Sequence, residues 1–190
     1  MAPVDTLIGL PGDRSVDAAE AVAAVGTGRT TLAILDEAQI GSDDVVLVTA
    51  AAGGIGVLAV QAAKEAGAVV VGAAGGPTKV ATAGTLGADL AVDYRQPGWA
   101  DRVREQLGDQ QVTLVLDGVG GVIGRAAFEL IAPGGQMVLF GDSSGETMPL
   151  GTDDLFTRGV AITAAVGARM LARPGGMQAM SQEAVAKLVK

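Results

Sequence analysis

One stretch, Val45 to Gly67, most constrains what this chain can fold into. It opens with four consecutive apolar residues, three of them β-branched, which is typical of a strand buried on both faces. A turn of small residues follows, and apolar residues then recur at helical spacing until Gly67, which is placed to end a helix. The stretch therefore predicts a strand, a tight turn and a helix in succession.

The turn carries a glycine pattern with a physical purpose. Ala51, Gly53 and Gly56 have the spacing G-x-G-x-x-G, with alanine in place of the first glycine. In a nucleotide-binding unit the middle glycine lets the backbone approach a pyrophosphate, and the last lets the helix pack on the strand. The amino end of the helix adds unpaired N–H groups. The alternative is a close strand–helix turn without a ligand. The residues expected to contact the phosphates are Ala52, Gly53, Gly54 and Ile55.

Composition narrows the class of protein. The 29 glycines suit an α/β chain with many tight turns, and a net charge of −8 argues against nucleic acid or an anionic membrane surface as a partner. The chain has no cysteine and no histidine, so we expect no disulfide scaffold, no soft metal site and no histidine base. No apolar run approaches ~20 residues. Together these features predict a cytoplasmic protein.

Strands and helices alternate along the rest of the chain. After the first strand, the expected strands are 68–72, 90–92, 112–116, 136–140 and 160–166. The expected helices are 16–25, 30–38, 55–66, 77–86, 98–107, 123–131, 152–156 and 170–190, with breaks at 26–28 and near 174–176. Such alternation implies right-handed crossovers. It predicts one α/β domain over 1–190, a Rossmann-like doubly wound parallel six-stranded sheet of order 3-2-1-4-5-6 with helices on both faces.

Several short motifs, together with the glycine turn, resemble the cofactor domain of the medium-chain dehydrogenase/reductase family, in its zinc-independent quinone oxidoreductase (ζ-crystallin-like) branch. They run in the family's order over nearly the whole chain. The motifs are Gly28-Arg29-Thr30, Val71 to Lys79, Leu86 to Asp89, Val92 to Arg95, Leu116 to Gly120 and Pro133 to Gly135. The resemblance implies an NADP(H) cofactor, no metal, and hydride transfer to a small-molecule substrate such as a quinone or an enone.

The family builds its active site against a second, GroES-like catalytic domain. We find no sequence here that resembles that domain, so we expect a fragment that holds the dinucleotide-binding domain. No catalytic acid or base is identifiable, since Ser143 and Ser144 have no base at a recognisable spacing. The alternative to an oxidoreductase domain is a non-catalytic NADP(H)-binding module, serving as a sensor or a structural protein.

The end of the second strand bears on the choice between NAD and NADP. An NAD site usually places Asp or Glu ~20 residues beyond the glycine loop, where this chain has Ala73, Ala74 and Gly75. No carboxylate is present there to repel a 2′-phosphate. The resemblance assigns that phosphate to Gly75, Lys79 and Tyr94. The alternatives are a solvated surface lysine and a tyrosine that fills an edge of the core.

Two further turns follow strands at the edge where ligands bind in such sheets. Asp117, Gly118 and Val119 are expected to line the adenosine and ribose, with backbone contact favoured for the last two. Equally, Asp117 is suited to accept local backbone N–H bonds in a turn. Phe140 and Gly141 are expected beside the nicotinamide, with ordinary core packing as the alternative for Phe140.

Two expectations remain, one near the amino end and one at the last strand. Thr30 resembles the family threonine near the carboxamide, with a helix N-cap as the alternative. Residues 160–166 are apolar and uncharged, and are expected to form the outer strand of the sheet. An uncovered edge invites pairing, and in the resembling family this strand pairs with its copy. We therefore expect a homodimer through this edge.

Overall fold

The computed structural model describes residues 17–187. The predicted helix start at 16 and helix end at 190 lie outside them. The strands are β1 Val45–Thr49, β2 Val69–Ala74, β3 Leu90–Asp93, β4 Val112–Asp117, β5 Ile131–Leu139 and β6 Ala161–Ala164. The helices are α1 Ala18–Ala23, α2 Arg29–Ala38, α3 Gly54–Glu65, α4 Pro77–Thr85, α5 Trp99–Leu107, α6 Gly121–Phe128, α7 Thr152–Arg158, α8 Ala168–Leu171 and α9 Gly176–Lys187.

The six strands form one sheet of order β3-β2-β1-β4-β5-β6, and every neighbouring pair is parallel. The predicted Rossmann-like topology is confirmed. Because all strands run the same way, the turns that follow them meet at a single edge of the sheet. The glycine turn after β1 and the turn after β4 flank the point where the strand order reverses, which is where ligands bind in doubly wound folds.

A core lies on each face of the sheet. Successive side chains of a strand point to opposite faces, so Val46 and Val48 join one buried cluster while Val45 and Leu47 join the other. All five residues of β1 are buried, as expected for a central parallel strand. Helices cover the two faces through buried side chains such as Ile34, Ala59, Trp99 and Phe128.

The predicted break at residues 26–28 is wrong. A π-helical turn, Ala24–Gly28, continues the helix from α1 into α2, and the N–H of Arg29 donates to the carbonyl oxygen of Ala24. The wider turn absorbs an extra residue without ending the hydrogen-bonded ladder. Helix α9 packs on this turn, where a Cβ at Gly28 would lie 3.6 Å from that of Ala184. Tertiary packing thus keeps Gly26 and Gly28 helical, although the sequence alone indicates that a helix ends there.

The predicted helix 123–131 is also wrong at its end. Helix α6 stops at Phe128, and Ile131 already begins β5, where it pairs with Val112. The register then shifts, so that Leu114 pairs with Gln136 and residues 133–135 form an irregularity inside the strand. A Cβ at Gly135 would lie 2.6 Å from the carbonyl oxygen of Thr113, so glycine there permits the close approach of β5 to β4. The Pro-Gly-Gly sequence bends a strand and does not end a helix.

The carboxyl-terminal third shows one smaller difference and one confirmed prediction. Strand β6 spans four residues where seven were predicted, and it forms an edge of the sheet. The predicted break near 174–176 is confirmed, since residues 172–175 separate α8 from α9. Across residues 17–187, no helix combines the length and the apolar character that a membrane crossing requires.

Phe128 provides the sharpest test of the packing. It is fully buried under the sheet, and the guanidinium carbons of Arg125 and Arg158 lie 5.4 and 5.7 Å from its ring centroid. Truncating a buried aromatic side chain removes its transfer free energy and leaves a cavity. Phe128→Ala should therefore lower the free energy of unfolding by about 3–5 kcal/mol. Urea denaturation followed by circular dichroism measures this.

The matched control is Val122→Ala on the same helix, because Val122 is 70% exposed. This change should alter the free energy of unfolding by no more than about 0.5 kcal/mol. Equal losses for the two variants would contradict the described packing of α6 on the sheet.

Candidate functional site

The turn between β1 and α3 is held by close backbone approaches. A Cβ at Gly56 would lie 2.2 Å from the carbonyl oxygen of Ala50, so only glycine lets α3 pack this near the strand. Ala50 itself has a φ of 50°, and the N–H of Gly53 donates to its carbonyl oxygen at 2.7 Å. The N–H of Ala51 donates to Ala73 of the neighbouring strand at 3.1 Å. The last glycine of the fingerprint therefore has the packing role that its spacing indicates.

The amino end of α3 presents backbone donors. Gly53 is the N-cap residue and no side chain caps the helix, in contrast to α1, where Asp17 does so. Gly53 and Gly54 are exposed, while Ala52 and Ile55 are half-buried beside them. The first N–H groups of a helix lack intrahelical acceptors and carry the positive end of the helix dipole. The turn can therefore hold an anionic group without any cationic side chain.

A buried carboxylate organises the turn after β4. Asp117 has no solvent exposure, and it accepts hydrogen bonds from Thr49 Oγ1 at 2.5 Å, from the N–H of Val119 at 3.1 Å and from the N–H of Gly120 at 3.0 Å. The side chain is thus committed within the protein. Of the two roles that the sequence left open for Asp117, this geometry favours the structural one.

The backbone N–H groups of Gly118 and Val119 are committed as well. Gly118 donates to Thr49 Oγ1 at 3.0 Å and Val119 donates to the carboxylate of Asp117. Their carbonyl oxygens accept from Ser143 and Ser144, which ties the loop after β5 to this turn. The sequence favoured contact with the adenosine and ribose through the backbone of these two residues, and their N–H groups are engaged within the protein instead. Neither has a spare N–H, so a backbone hydrogen bond to a ligand here would have to be accepted by a carbonyl oxygen.

The end of β5 lies directly beside this turn. A Cβ at Gly118 would lie 2.4 Å from the ring of Phe140, and a Cβ at Gly141 would lie 2.8 Å from the carbonyl oxygen of Gly118. Phe140 is half-buried and packs against the core, while Gly141 is exposed. These residues form one wall of the carboxyl edge, with the ring of Phe140 as its apolar part.

The structure brings Gly75 and Tyr94 together. Gly75 follows β2 and Tyr94 follows β3, and a Cβ at Gly75 would lie 3.1 Å from Cε2 and 3.2 Å from the hydroxyl oxygen of Tyr94. The half-buried ring therefore stands over a backbone that has no side chain of its own. Lys79 lies in the first turn of α4, is exposed and makes no ion pair with residues 17–187.

Arg95 is a cation of this region that the sequence reasoning missed. Its side chain lies over the same glycines: Cδ is 3.4 Å from a Cβ placed at Gly75, and Nη1 is 3.1 Å from one placed at Gly76. Asp93 accepts from the N–H groups of Gly76 and Arg95, both at 2.9 Å, and these bonds hold its pKa below the usual range. The signal in the sequence was the run Asp93-Tyr94-Arg95, of which only the tyrosine was assigned a role.

The phenol of Tyr94 stays protonated at neutral pH. Burial raises its pKa above the ordinary value, and the nearby negative charge of Asp93 acts in the same direction. A protonated phenol both donates and accepts a hydrogen bond. It is therefore available as a donor to an anionic oxygen.

Thr30 is not an N-cap, because the helix runs on through the π-helical turn before it. Its hydroxyl donates to the carbonyl oxygen of Gly26 at 3.1 Å. Thr27, to which the sequence analysis gave no role, lies against the glycine turn: its Cγ2 and Oγ1 lie 3.2 and 3.5 Å from a Cβ placed at Gly54. Thr27 lies in the π-helical turn, which places its side chain beside Gly54. No local sequence pattern predicts that turn.

A family profile described as zinc-binding dehydrogenase matches residues 54–187. That match covers more than half of the chain. The chain belongs to this family. Its pattern is that of the medium-chain dehydrogenase/reductases, and the predicted resemblance to their quinone oxidoreductase branch is confirmed.

Individual relatives agree with the family match. The chain is 31% identical to a 2-haloacrylate reductase of Burkholderia over 83% of its own length and 48% of the relative's. It is 30% identical to a quinone oxidoreductase of Pseudomonas aeruginosa over 94% of its length and 55% of the relative's. The crystal structure of an Escherichia coli quinone oxidoreductase complexed with NADPH superposes with a TM-score of 0.80 at 28% identity, covering 94% of this chain and 54% of that one. The chain thus spans about half the length of the relatives it matches.

The family description names zinc, and the residues present do not fit a zinc ion. The sequence has no Cys and no His. Within residues 17–187, no three acidic side chains lie together as a metal site requires.

Replacing Asp117 should destabilise the protein strongly. Asp117→Ala leaves three buried donors without an acceptor, and each unsatisfied buried group costs about 1–3 kcal/mol. We expect a loss of about 3 kcal/mol or more in the free energy of unfolding, measured by urea denaturation. The control is Asp142→Ala, which removes an exposed carboxylate from the adjacent loop and should change little. A small effect of Asp117→Ala would show that the buried network contributes little.

Proposed function

We propose that this chain is the NADP(H)-binding domain of an oxidoreductase that transfers hydride from NADPH to quinones, enones or similar activated double bonds. The family, the fold and the geometry of the carboxyl edge support the proposal. The observation that carries it is the cluster beyond β2 and β3, where Tyr94 and Arg95 cover a glycine backbone next to the fingerprint turn.

The pyrophosphate would lie at the amino end of α3. Gly53 and Gly54 leave the backbone uncovered there, and no side chain occupies the first N–H groups of the helix. Both NADPH and NADH carry the same pyrophosphate, so this part of the site supplies affinity without choosing between them. The choice belongs to the residues around the adenine ribose.

The 2′-phosphate would lie beyond the end of β2. Gly75 leaves room for it, Lys79 and Arg95 bring two positive charges, and Tyr94 brings a protonated hydroxyl. Asp93 is the acid of this region, and its carboxylate is turned to the N–H groups of Gly76 and Arg95. A site for NADH would instead need a carboxylate free to accept from the ribose hydroxyls. The local charge therefore favours the phosphorylated cofactor, although the chain as a whole is negative.

The nicotinamide of the bound cofactor supplies the hydride. The half-buried ring of Phe140 and the exposed backbone of Gly141 offer an apolar wall suited to that ring. The named activities of the relatives, quinone oxidoreductase and 2-haloacrylate reductase, motivate an electron-poor acceptor as the substrate class.

Removing the charge of Lys79 should weaken NADPH and leave NADH nearly unchanged. A hydrogen bond to a charged group is worth roughly 1.5–3 kcal/mol, so Lys79→Ala should raise the Kd for NADPH about ten- to a hundredfold. Calorimetric titration measures both cofactors. NADH is the internal control because it lacks the 2′-phosphate, and Arg102→Ala is the control for loss of a cation elsewhere. Equal losses for the two cofactors would assign the 2′-phosphate to another place.

Introducing an acid at Gly75 should reverse the preference. Gly75→Asp adds a carboxylate where the 2′-phosphate is placed, and it also presses on Tyr94 because the added Cβ lies 3.1 Å from the ring. Gly75→Ala separates these effects, since it adds the same Cβ without the charge. We expect the alanine variant to weaken both cofactors moderately and the aspartate variant to bind NADH more tightly than NADPH. An unchanged preference in the aspartate variant would contradict the assignment.

We also propose that the protein forms a homodimer through β6. This strand is an edge of the sheet and its residues are exposed or half-buried. The N–H of Ala165 donates to Leu139 of β5. Because donors alternate along a strand, the N–H groups of Ile162 and Ala164 point to the open side. Such an edge is able to add a second copy and continue the sheet.

Ala164→Pro tests the dimer. Proline removes an outward donor and is tolerated on edge strands, so we expect a monomer that keeps its thermal stability. Multi-angle light scattering at high micromolar concentration measures the mass. The control Ala164→Gly keeps the N–H group and should stay dimeric. A monomeric parent chain, or a dimeric proline variant, would count against pairing through this strand.

A further inference from the structure

A cleft lies at the opposite edge of the sheet from the glycine turn. It has a volume of about 360 Å³ and is formed where α5 ends and where β4 and β5 begin. The length of β4 separates it from the carboxyl edge, which is about 20 Å for six residues. We call it the amino-edge cleft and define it by Arg104, Leu107, Leu130, Ile131, Pro133 and Arg158.

Two arginines converge on one backbone oxygen in this cleft. Nη2 of Arg104 and Nη1 of Arg158 each donate to the carbonyl oxygen of Glu129 at 3.2 Å, and Arg158 also reaches that of Ile131 at 3.4 Å. The two guanidinium groups therefore stand side by side. Each guanidinium has five N–H donors. Within residues 17–187, Arg158 forms hydrogen bonds only through Nη1. The remaining N–H groups of Arg158 are available to a ligand.

The carboxylates nearest the cleft are already paired with an arginine. The carboxylate of Glu129 pairs with Arg125 at 2.9 Å, and Arg125 also holds Asp154 at 2.8 Å. Arg158 has no carboxylate within 4.0 Å among the described residues. Arg104 pairs only with Asp101, whose side chain is 73% exposed, and such surface pairs contribute little. Asp154, which Arg125 holds, also interacts with the charge of Arg158 at longer range, but the two adjacent guanidinium groups keep N–H donors with which an anion in the cleft can bond.

The rest of the lining is mixed, with apolar side chains on one part and the polar side chains of Gln110, Gln111 and Glu129 on another. Leu107, Leu130, Ile131 and Pro133 supply the apolar part, and the volume is at the lower end of the range for small-molecule sites. Planar guanidinium groups match the oxygens of carboxylates and phosphates. We propose that the amino-edge cleft binds a small organic oxyanion, a carboxylate or phosphate monoester with a short apolar body, independently of the cofactor. This site is separate from the proposed cofactor site, and the proposal does not depend on the proposed function.

Calorimetric titration of the 190-residue chain with phenyl phosphate and with inorganic phosphate tests the proposal. Each titration is run with and without excess NADPH, so that binding at the glycine turn is told apart from binding in the cleft. We expect phenyl phosphate to bind more tightly than inorganic phosphate, and its Kd to be unaffected by NADPH. Hexanoate in place of phenyl phosphate should also bind, because the guanidinium groups accept either oxyanion.

Arg158→Gln and Arg104→Gln should each raise the Kd for phenyl phosphate about tenfold. Arg102→Gln is the matched control, because Arg102 lies on the same helix as Arg104 and donates to Pro97 outside the cleft. Circular dichroism confirms that the variants fold, and if Arg158→Gln unfolds, Arg104→Gln decides. Unchanged affinity in Arg104→Gln, equal loss in Arg102→Gln, or full displacement by NADPH would overturn the proposal.

Discussion

The approach of α3 to the end of β1 is the constraint on which the rest of the carboxyl edge depends. The carbonyl oxygen of Ala50 occupies the place where a side chain at position 56 would begin, so glycine is required there. This contact sets the direction of α3 and leaves its amino end open beside the strand. The same strand anchors the neighbouring turn, because Thr49, its last residue, donates to the buried Asp117. Two turns are thereby fixed relative to one strand before any ligand is considered.

The carboxyl edge of the sheet has two parts. In one, the polar groups already have hydrogen-bond partners within the protein, and in the other they are open to a ligand. After β4 and β5, the polar groups of residues 117–119 are engaged with each other and with Thr49, so that side provides shape. After β2 and β3, Gly75 has no side chain and Lys79 has no ion pair within the described chain, so that side provides charge. Shape on one side and charge on the other suit a ligand that has an apolar ring at one end and a phosphate at the other. The carboxylate of Asp117 lies inside this edge, where three donors solvate its charge.

The sheet order followed from the sequence, because six apolar runs separated by helices and a glycine fingerprint allow few topologies. Local errors arose where packing decided the outcome. Glycines at 26–28 indicate a stop, yet α9 holds them in a π-helical turn; Pro133 and the glycines after it indicate a helix end, yet they bend β5 against β4. The pairing of Gly75 with Tyr94 was predicted from the family pattern. Arg95 was missed because its approach to Gly76 depends on a turn that Asp93 closes, and one sequence does not show that turn.

An amide NMR titration tests the central claim most directly, because the account assigns different parts of the edge to different parts of the cofactor. With NADPH, the amide signals of Gly53 to Gly56 and those of Gly75, Gly76 and Arg95 should all shift. With NADH, the first group should shift and the second should respond far less. Equal responses of both groups to the two cofactors, or shifts confined to residues away from the carboxyl edge, would contradict the account.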